Sequence, residues 1–106
     1  MIFIPTNDFN KAVRRLAKKY PSIVRDLNSL FEKLEQNPFE GSPLGENTYK
    51  VRMAITSKGK GKSGGARVIT CVKIVDDIIH LLTIYDKSDI ENISHANLEE
   101  LRKLIE

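Results

Sequence analysis

Hydrophobic residues in this chain recur on a helical period in its first third and in continuous β-branched runs in its second half. That switch limits the fold more than any other feature. Phe9, Ala12, Val13, Leu16, Ala17 and Tyr20 follow helical spacing, with Lys11, Arg14, Arg15, Lys18 and Lys19 outside the stripe. Pro21 suits the first turn of a second helix with the stripe Ile23, Leu27, Leu30, Phe31 and Leu34, and Asn37-Pro38 ends it. Helices joined this tightly predict a hairpin. Residues 67–75 and 78–85 read as two strands joined by a tight turn at Asp76-Asp77.

Around these elements the pattern predicts a strand at about 49–55 and a short opening strand at 2–5 closed by Pro5, with Asn7 or Asp8 as N-cap of the first helix. Residues 38–48 (PFEGSPLGENT) read as a loop. Ser94 caps a short final helix carrying Leu98, Leu101 and Ile105. The predicted order is β-αα-βββ-α: an α+β fold in which a mostly antiparallel sheet packs against an N-terminal helical hairpin. A length of 106 residues fits one domain spanning residues 1–106.

A composition of 41% hydrophobic and 29% charged residues is that of a folded soluble protein and gives no case for disorder. The N-terminus MIFIPTNDFN lacks the basic region of a signal peptide, and no apolar run approaches the roughly 18 residues of a membrane helix. The expected location is the cytoplasm, with no membrane partner. The single cysteine, Cys71, lies in an apolar run and reads as a core residue of a protein in a reducing compartment.

The net charge of +3 is unevenly spread. Lys50, Arg52, Lys58, Lys60, Lys62, Arg67 and Lys73 put seven of the 17 basic residues between positions 50 and 75, where no acidic residue occurs; the other positions hold 10 basic and 14 acidic residues. So concentrated a basic segment on an otherwise acidic chain implies a polyanionic partner.

Within that segment, Ser57 to Gly65 alternates Lys58, Lys60 and Lys62 with glycines. If extended, the loop aims three ammonium groups to one side, and the glycines let the backbone approach a phosphate. Arg52 and Arg67 flank it with guanidinium groups able to grip a phosphate through two bonds. A mobile, solvated basic loop with no chemistry accounts for the same composition. Gly61-Lys62-Ser63 spells the end of a nucleotide-binding P-loop, but Thr56 stands where that motif needs its first glycine, and a strand follows where it needs a helix. His80, inside IIHLLTIY, reads as a satisfied core or edge residue and His95 as a first-turn helix residue; with one cysteine and two distant histidines, no zinc ligand set is expected. Asp76, Asp77, Asp86 and Asp89 read as turn and loop residues.

Three elements agree in order and spacing with a known pattern: Lys50-Val-Arg52, then SKGKGKSGGARVI from Ser57 to Ile69, then Leu81-Leu-Thr-Ile-Tyr-Asp-Lys87-Ser. The chain resembles the HigB-type toxins of the RelE/ParE superfamily over about residues 50–89, with a compatible helical hairpin before it. The resemblance implies a RelE-like fold and the toxin of a type II toxin-antitoxin system: a ribosome-dependent endoribonuclease (mRNA interferase) that cuts mRNA in the A site with no metal or other cofactor. It places Arg52, Lys58, Lys60, Arg67 and Lys87 as catalytic residues, with Lys50, Lys62, Lys73 and Tyr85 along the bound RNA. Ile93 and Ser94 stand where some RelE proteins carry a tyrosine, so any general base differs here.

The implied reaction is attack of a ribose 2′-OH on the adjacent phosphate, with Arg67 and Arg52 clamping the transition state. One of Lys58, Lys60 or Lys87, its pKa lowered by like charges, acts as acid or base. The implied partners are the ribosome, its mRNA and a cognate helix-turn-helix antitoxin, with operator DNA reached only through the antitoxin complex. Two other functions fit the same chain: DNA gyrase inhibition, as in the ParE branch, and a module that binds RNA or DNA without cutting. The first generally lacks the full basic set, and the second lacks aromatic stacking residues between positions 50 and 75.

Overall fold

In a computed structural model, which describes residues 1–106, the two apolar stripes form α1 (Asn7–Lys19) and α2 (Ile23–Gln36). The cap of α1 is Thr6, one residue earlier than expected: its hydroxyl accepts the Phe9 N–H at 3.0 Å and donates to the Leu82 carbonyl at 2.7 Å, so capping also ties the helix to the sheet. Pro21 lies in the link between the helices, and Ser22 is the N-cap of α2.

Five strands form one sheet: β1 (Ile2–Pro5), β2 (Ser42–Gly45), β3 (Thr48–Met53), β4 (Ala66–Lys73) and β5 (Ile78–Asp86), in the order β1-β5-β4-β3-β2. Only the β1–β5 pair is parallel. The chain closes with α3 (His95–Lys103), capped by Ser94, whose hydroxyl accepts the Asn97 N–H at 3.1 Å. The α+β class and mostly antiparallel sheet match the expectation.

The structure adds β2, which the sequence reading takes as loop. Its strand is short and at the sheet edge, where Pro43 removes no interior ladder bond. Glu46 and Asn47, at φ +51° and +58°, make the two-residue turn into β3. At the other hairpin β4 stops at Lys73, two residues early; Ile74 begins a 3₁₀ turn and Val75 is 98% exposed. Asp77 supplies the left-handed residue that reverses the chain.

The sheet divides the core. Against its helical-hairpin face, Ile23, Leu34, Val68, Val72 and Ile79 are fully buried, each stabilising the fold by about 2 kcal/mol. The other face packs Ile69, Cys71, Leu82 and Tyr85 against Leu98 and Leu101 of α3. One extra residue on β5, between Leu81 and Thr83 opposite Ile69 and Thr70, shifts the alternation. The bulge lets Leu81 and Ile84 face the helices while Leu82 and Tyr85 face α3.

Candidate functional site: a basic cluster at one end of the sheet

The register across β3, β4 and β5 places Arg52 opposite Arg67 and Arg67 opposite Tyr85, so the three share one face near the end of the sheet. The loop of residues 57–65 returns the chain over that end, and the Lys87 N–H donates to the Gly65 carbonyl at 3.0 Å. The structure therefore gathers Arg52, Arg67, Tyr85, Lys87 and the lysine loop. Arg52 and Lys62 both border a cleft of about 210 Å³ with Lys33 and Asp26. Lys50 stands one step back on β3, its ammonium donating to Asn92 Oδ1 at 3.2 Å. Lys73 is not part of the cluster: it lies at the opposite end of β4, six residues or about 20 Å from Arg67.

The loop is not extended. Thr56–Lys58 forms a 3₁₀ turn, and Gly59 and Gly61 take φ of +75° and +64°. These left-handed residues curl the chain, so the three lysines do not project to one side. Lys60 and Lys62 are exposed, whereas Lys58 turns inward. Its ammonium donates to Asp86 Oδ1 at 2.7 Å and Ser88 Oγ at 2.6 Å.

Asp86, 2% exposed, is the centre of a network that sequence reasoning assigned to a turn. The Tyr20 hydroxyl donates to its Oδ2 at 2.6 Å, and the Ser88 N–H to its Oδ1 at 2.9 Å. Burial alone raises this carboxyl, but the Lys58 ammonium, the Tyr20 hydroxyl and the Ser88 amide outweigh it and hold it well below the usual carboxylate range. The hydrogen bond to Asp86 raises Lys58 in turn. This reverses the expectation of a lysine lowered by like charges: Lys58 is a fixed cation, suited to donating a proton or stabilising charge and not to accepting a proton.

A second acidic anchor holds the start of the loop. Asp26 of α2 is buried and accepts the Thr56 N–H at 2.9 Å and the Thr56 hydroxyl at 2.5 Å; the Ser22 hydroxyl donates to it at 2.8 Å. The Ser57 N–H reaches Ser22 Oγ at 2.9 Å. Burial pushes Asp26 up and these donors pull it down further, so it stays ionised. Its signal in the sequence is a carboxylate inside the apolar stripe Ile23, Leu27, Leu30.

Arg67 is 3% exposed. Its fork donates to the carbonyls of Lys62 at 2.9 Å, Ala66 at 3.1 Å and Ser63 at 3.3 Å, so it holds the loop from beneath. No carboxylate pairs with it. Burial, and then the neighbouring Arg52, lower its pKa. Tyr85 beside it is buried with no hydrogen-bond partner for its hydroxyl, and burial raises that phenol. It lines a cleft of about 560 Å³ between α1, β5 and α3 that also contains Ile93, Ser94 and Arg15.

Gly65 sets the spacing under the loop. A Cβ there would overlap the Met53 carbonyl oxygen and lie 3.0 Å from both Ala54 Cα and Ile55 N, all backbone atoms that cannot rotate away. Gly65→Ala is expected to cost about 2 kcal/mol by forcing the ends of β3 and β4 apart, read as a lower urea midpoint. An unchanged midpoint would show that the strand ends part freely.

His80 is not the satisfied residue expected: its Nδ1 is buried without a partner, and burial, then Lys73, lower its pKa. His95 opens α3, 3.9 Å from Glu99. No cluster of three or more His, Cys, Asp or Glu side chains is placed to hold a metal ion, and no helix is long and apolar enough to cross a membrane.

A family model described as the RelE toxin of the RelE / RelB toxin-antitoxin system matches residues 7–106, which takes in both helices of the hairpin, the whole basic cluster and α3. The chain belongs to the RelE toxin family. No curated protein matches it. As a RelE-family member the chain is the toxin of a toxin-antitoxin system, and that membership implies a cognate antitoxin as partner. In this RelE-family protein the basic end of the sheet is assembled by β3, β4, β5 and one loop, and two buried carboxylates fix that loop without neutralising Arg67.

Proposed function

We propose that this RelE-family toxin is a HigB-type mRNA interferase of the cytoplasm: a metal-free endoribonuclease that cuts mRNA in the ribosomal A site and so inhibits translation. The observation that carries the reading is Arg67, a buried guanidinium with no carboxylate partner, set beside Arg52 at the end of the sheet. Burying an unpaired charge is costly, and two adjacent cations raise that cost. A phosphodiester gripped by the exposed Arg52, with the buried charge of Arg67 beneath it, offsets that cost, most of all when the phosphorus carries the extra charge of a five-coordinate transition state.

In this reaction the 2′-oxygen bonds to phosphorus as its proton passes to solvent water, the bond to the 5′-oxygen breaks and that oxygen takes up a proton, and the products are a 2′,3′-cyclic phosphate and a 5′-hydroxyl. Lys58, fixed as a cation by Asp86, is suited to protonating the leaving 5′-oxygen or stabilising its charge. Lys60, Lys62 and Lys87 surround the same end and supply further positive charge. Lys50 extends the RNA path, Tyr85 supports it from within the sheet because its hydroxyl is buried, and Lys73, at the far end of β4, would meet only RNA that continues along the sheet.

The test is to map 5′ ends on a reporter mRNA in a bacterial translation extract, with and without ribosomes. It compares the wild type with an Arg52→Ala, Lys60→Ala variant. Both residues are exposed, and neither holds a hydrogen bond or ion pair, so folding should be unaffected. Ribosome-dependent cuts, weakened on the order of a hundredfold in the variant, are expected. Intact mRNA in the extract, together with growth arrest when the chain is induced in cells, would move the target to gyrase.

A further inference from the structure

We propose that the outer face of α1 is a second nucleic-acid site, which grips the sugar–phosphate backbone of double-helical RNA beside the cleavage site. Lys11, Arg14, Arg15, Lys18 and Lys19 are all exposed on this helix. At 3.6 residues per turn they fall within an arc of about 140° opposite the apolar stripe, and each four-residue step along it rises about 6 Å. None of the five forms an ion pair within the chain. The single carboxylate of the helix, Asp8, lies in the first turn.

An exposed row of five cations is self-repelling, so it needs a role other than holding the fold. Three features select a double-helical backbone over a protein or an unpaired strand, and the nuclease reading makes that duplex RNA. No exposed residue of α1 is apolar, whereas a protein interface needs an apolar or aromatic centre. The arc holds no aromatic side chain on which unpaired bases stack. A rigid row of cations suits a backbone whose phosphates are themselves held in a fixed array.

The row also runs into the loop. Lys19 Nζ and Lys58 Nζ lie 5.4 Å and 5.7 Å from the centroid of the same Tyr20 ring, so the C-terminal end of α1 adjoins the start of the lysine loop, although the Lys58 charge is itself paired with Asp86. The proposal rests for its setting on the reading of the chain as an RNA-cutting toxin: α1 would dock on a structured RNA that frames the cut strand.

The test uses the full chain and a Lys11→Gln, Arg14→Gln, Lys18→Gln variant, none of them residues of the basic cluster. Affinity is measured by fluorescence anisotropy across a salt series, for a 2′-O-methylated RNA duplex of about 16 base pairs and a single strand of the same length. The methyl groups block attack by the 2′-oxygen, so binding is read without cleavage. For the duplex, the slope of log affinity against log salt is expected to fall by about 2 to 3 in the variant, close to one unit per lost phosphate contact. The single strand should lose less, and an unchanged thermal melt would confirm folding. An unchanged duplex slope overturns the proposal. So does a variant that keeps the duplex but loses the cognate antitoxin, because the face would then belong to an acidic protein. A wild type that binds the duplex through α1 yet leaves mRNA on ribosomes intact would sink the nuclease reading alone.

Discussion

Asp86→Ala is expected to lower the unfolding free energy by about 3 kcal/mol at neutral pH, and the melting temperature by roughly 10–20 °C. The substitution strands the Lys58 ammonium, removes the acceptor of the Tyr20 hydroxyl and releases the Ser88 amide. The value sits at the low end for a broken buried pair because the Lys58 side chain keeps a tenth of its surface in water. Asp86→Asn should fall in between, since its amide still accepts from Tyr20 but cannot neutralise Lys58. The pH dependence has a definite sign. A carboxyl held below its unfolded value contributes stability above that value, near ~3.9, and loses it as pH falls further. The gap between wild type and Asp86→Asn should therefore be widest near neutrality and narrow from pH ~4 downward. Lys58 is raised, so its share persists below its unfolded value of ~10.4 and fades as pH rises beyond it. Urea titrations at several pH values read both edges. A constant gap across that range would mean that the pair is solvated and contributes little.

The network around Asp86 was hidden from the sequence for a physical reason. A carboxylate after Tyr85 and before Lys87-Ser88 has the composition of a turn, and only tertiary structure shows that Tyr20, 66 residues earlier, meets it. Asp26 was more legible, because a charge inside an apolar stripe is buried if the helix packs at all. Helices and long strands were legible because their periods differ and their stripes are unbroken. β2 was not, since Pro43 is tolerated only at an edge and Glu46-Asn47 turns the chain without the glycine that announces such a turn. The lysine loop shows how composition misleads about direction. Glycine between lysines permits an extended ribbon, but it equally permits the left-handed residues Gly59 and Gly61, and the anchors on Asp26 and Asp86 select the curled form. The order Arg52, Arg67, Tyr85 was visible as residues, while their alignment in one row follows from strand register.

Arg67→Ala is expected to reduce the rate of mRNA cutting by a factor on the order of 10² to 10³, because the buried charge beneath the phosphate site and the pins on the lysine loop are lost together. Arg67 differs from Arg52 in that its guanidinium also binds three carbonyls of the loop and its flank. Two effects are combined in the one substitution, and they separate experimentally. Arg52→Ala removes charge from an exposed position and should leave the loop as it is, so hydrogen exchange over residues 58–65 should not change. Arg67→Ala should speed exchange across those residues, because Lys62 and Ser63 lose the donor that pins their carbonyls. Arg67→Lys restores the charge but replaces a planar fork with a single point donor, which cannot reach both sides of the loop. If positioning of the loop dominates, Arg67→Lys stays within about tenfold of Arg67→Ala, a difference of under ~1.4 kcal/mol, and its loss appears in kcat. If charge alone matters, the lysine variant recovers most of the rate. The structure favours the first outcome: the hydrogen-bonding capacity of a buried guanidinium is directed at the backbone that carries Lys60 and Lys62.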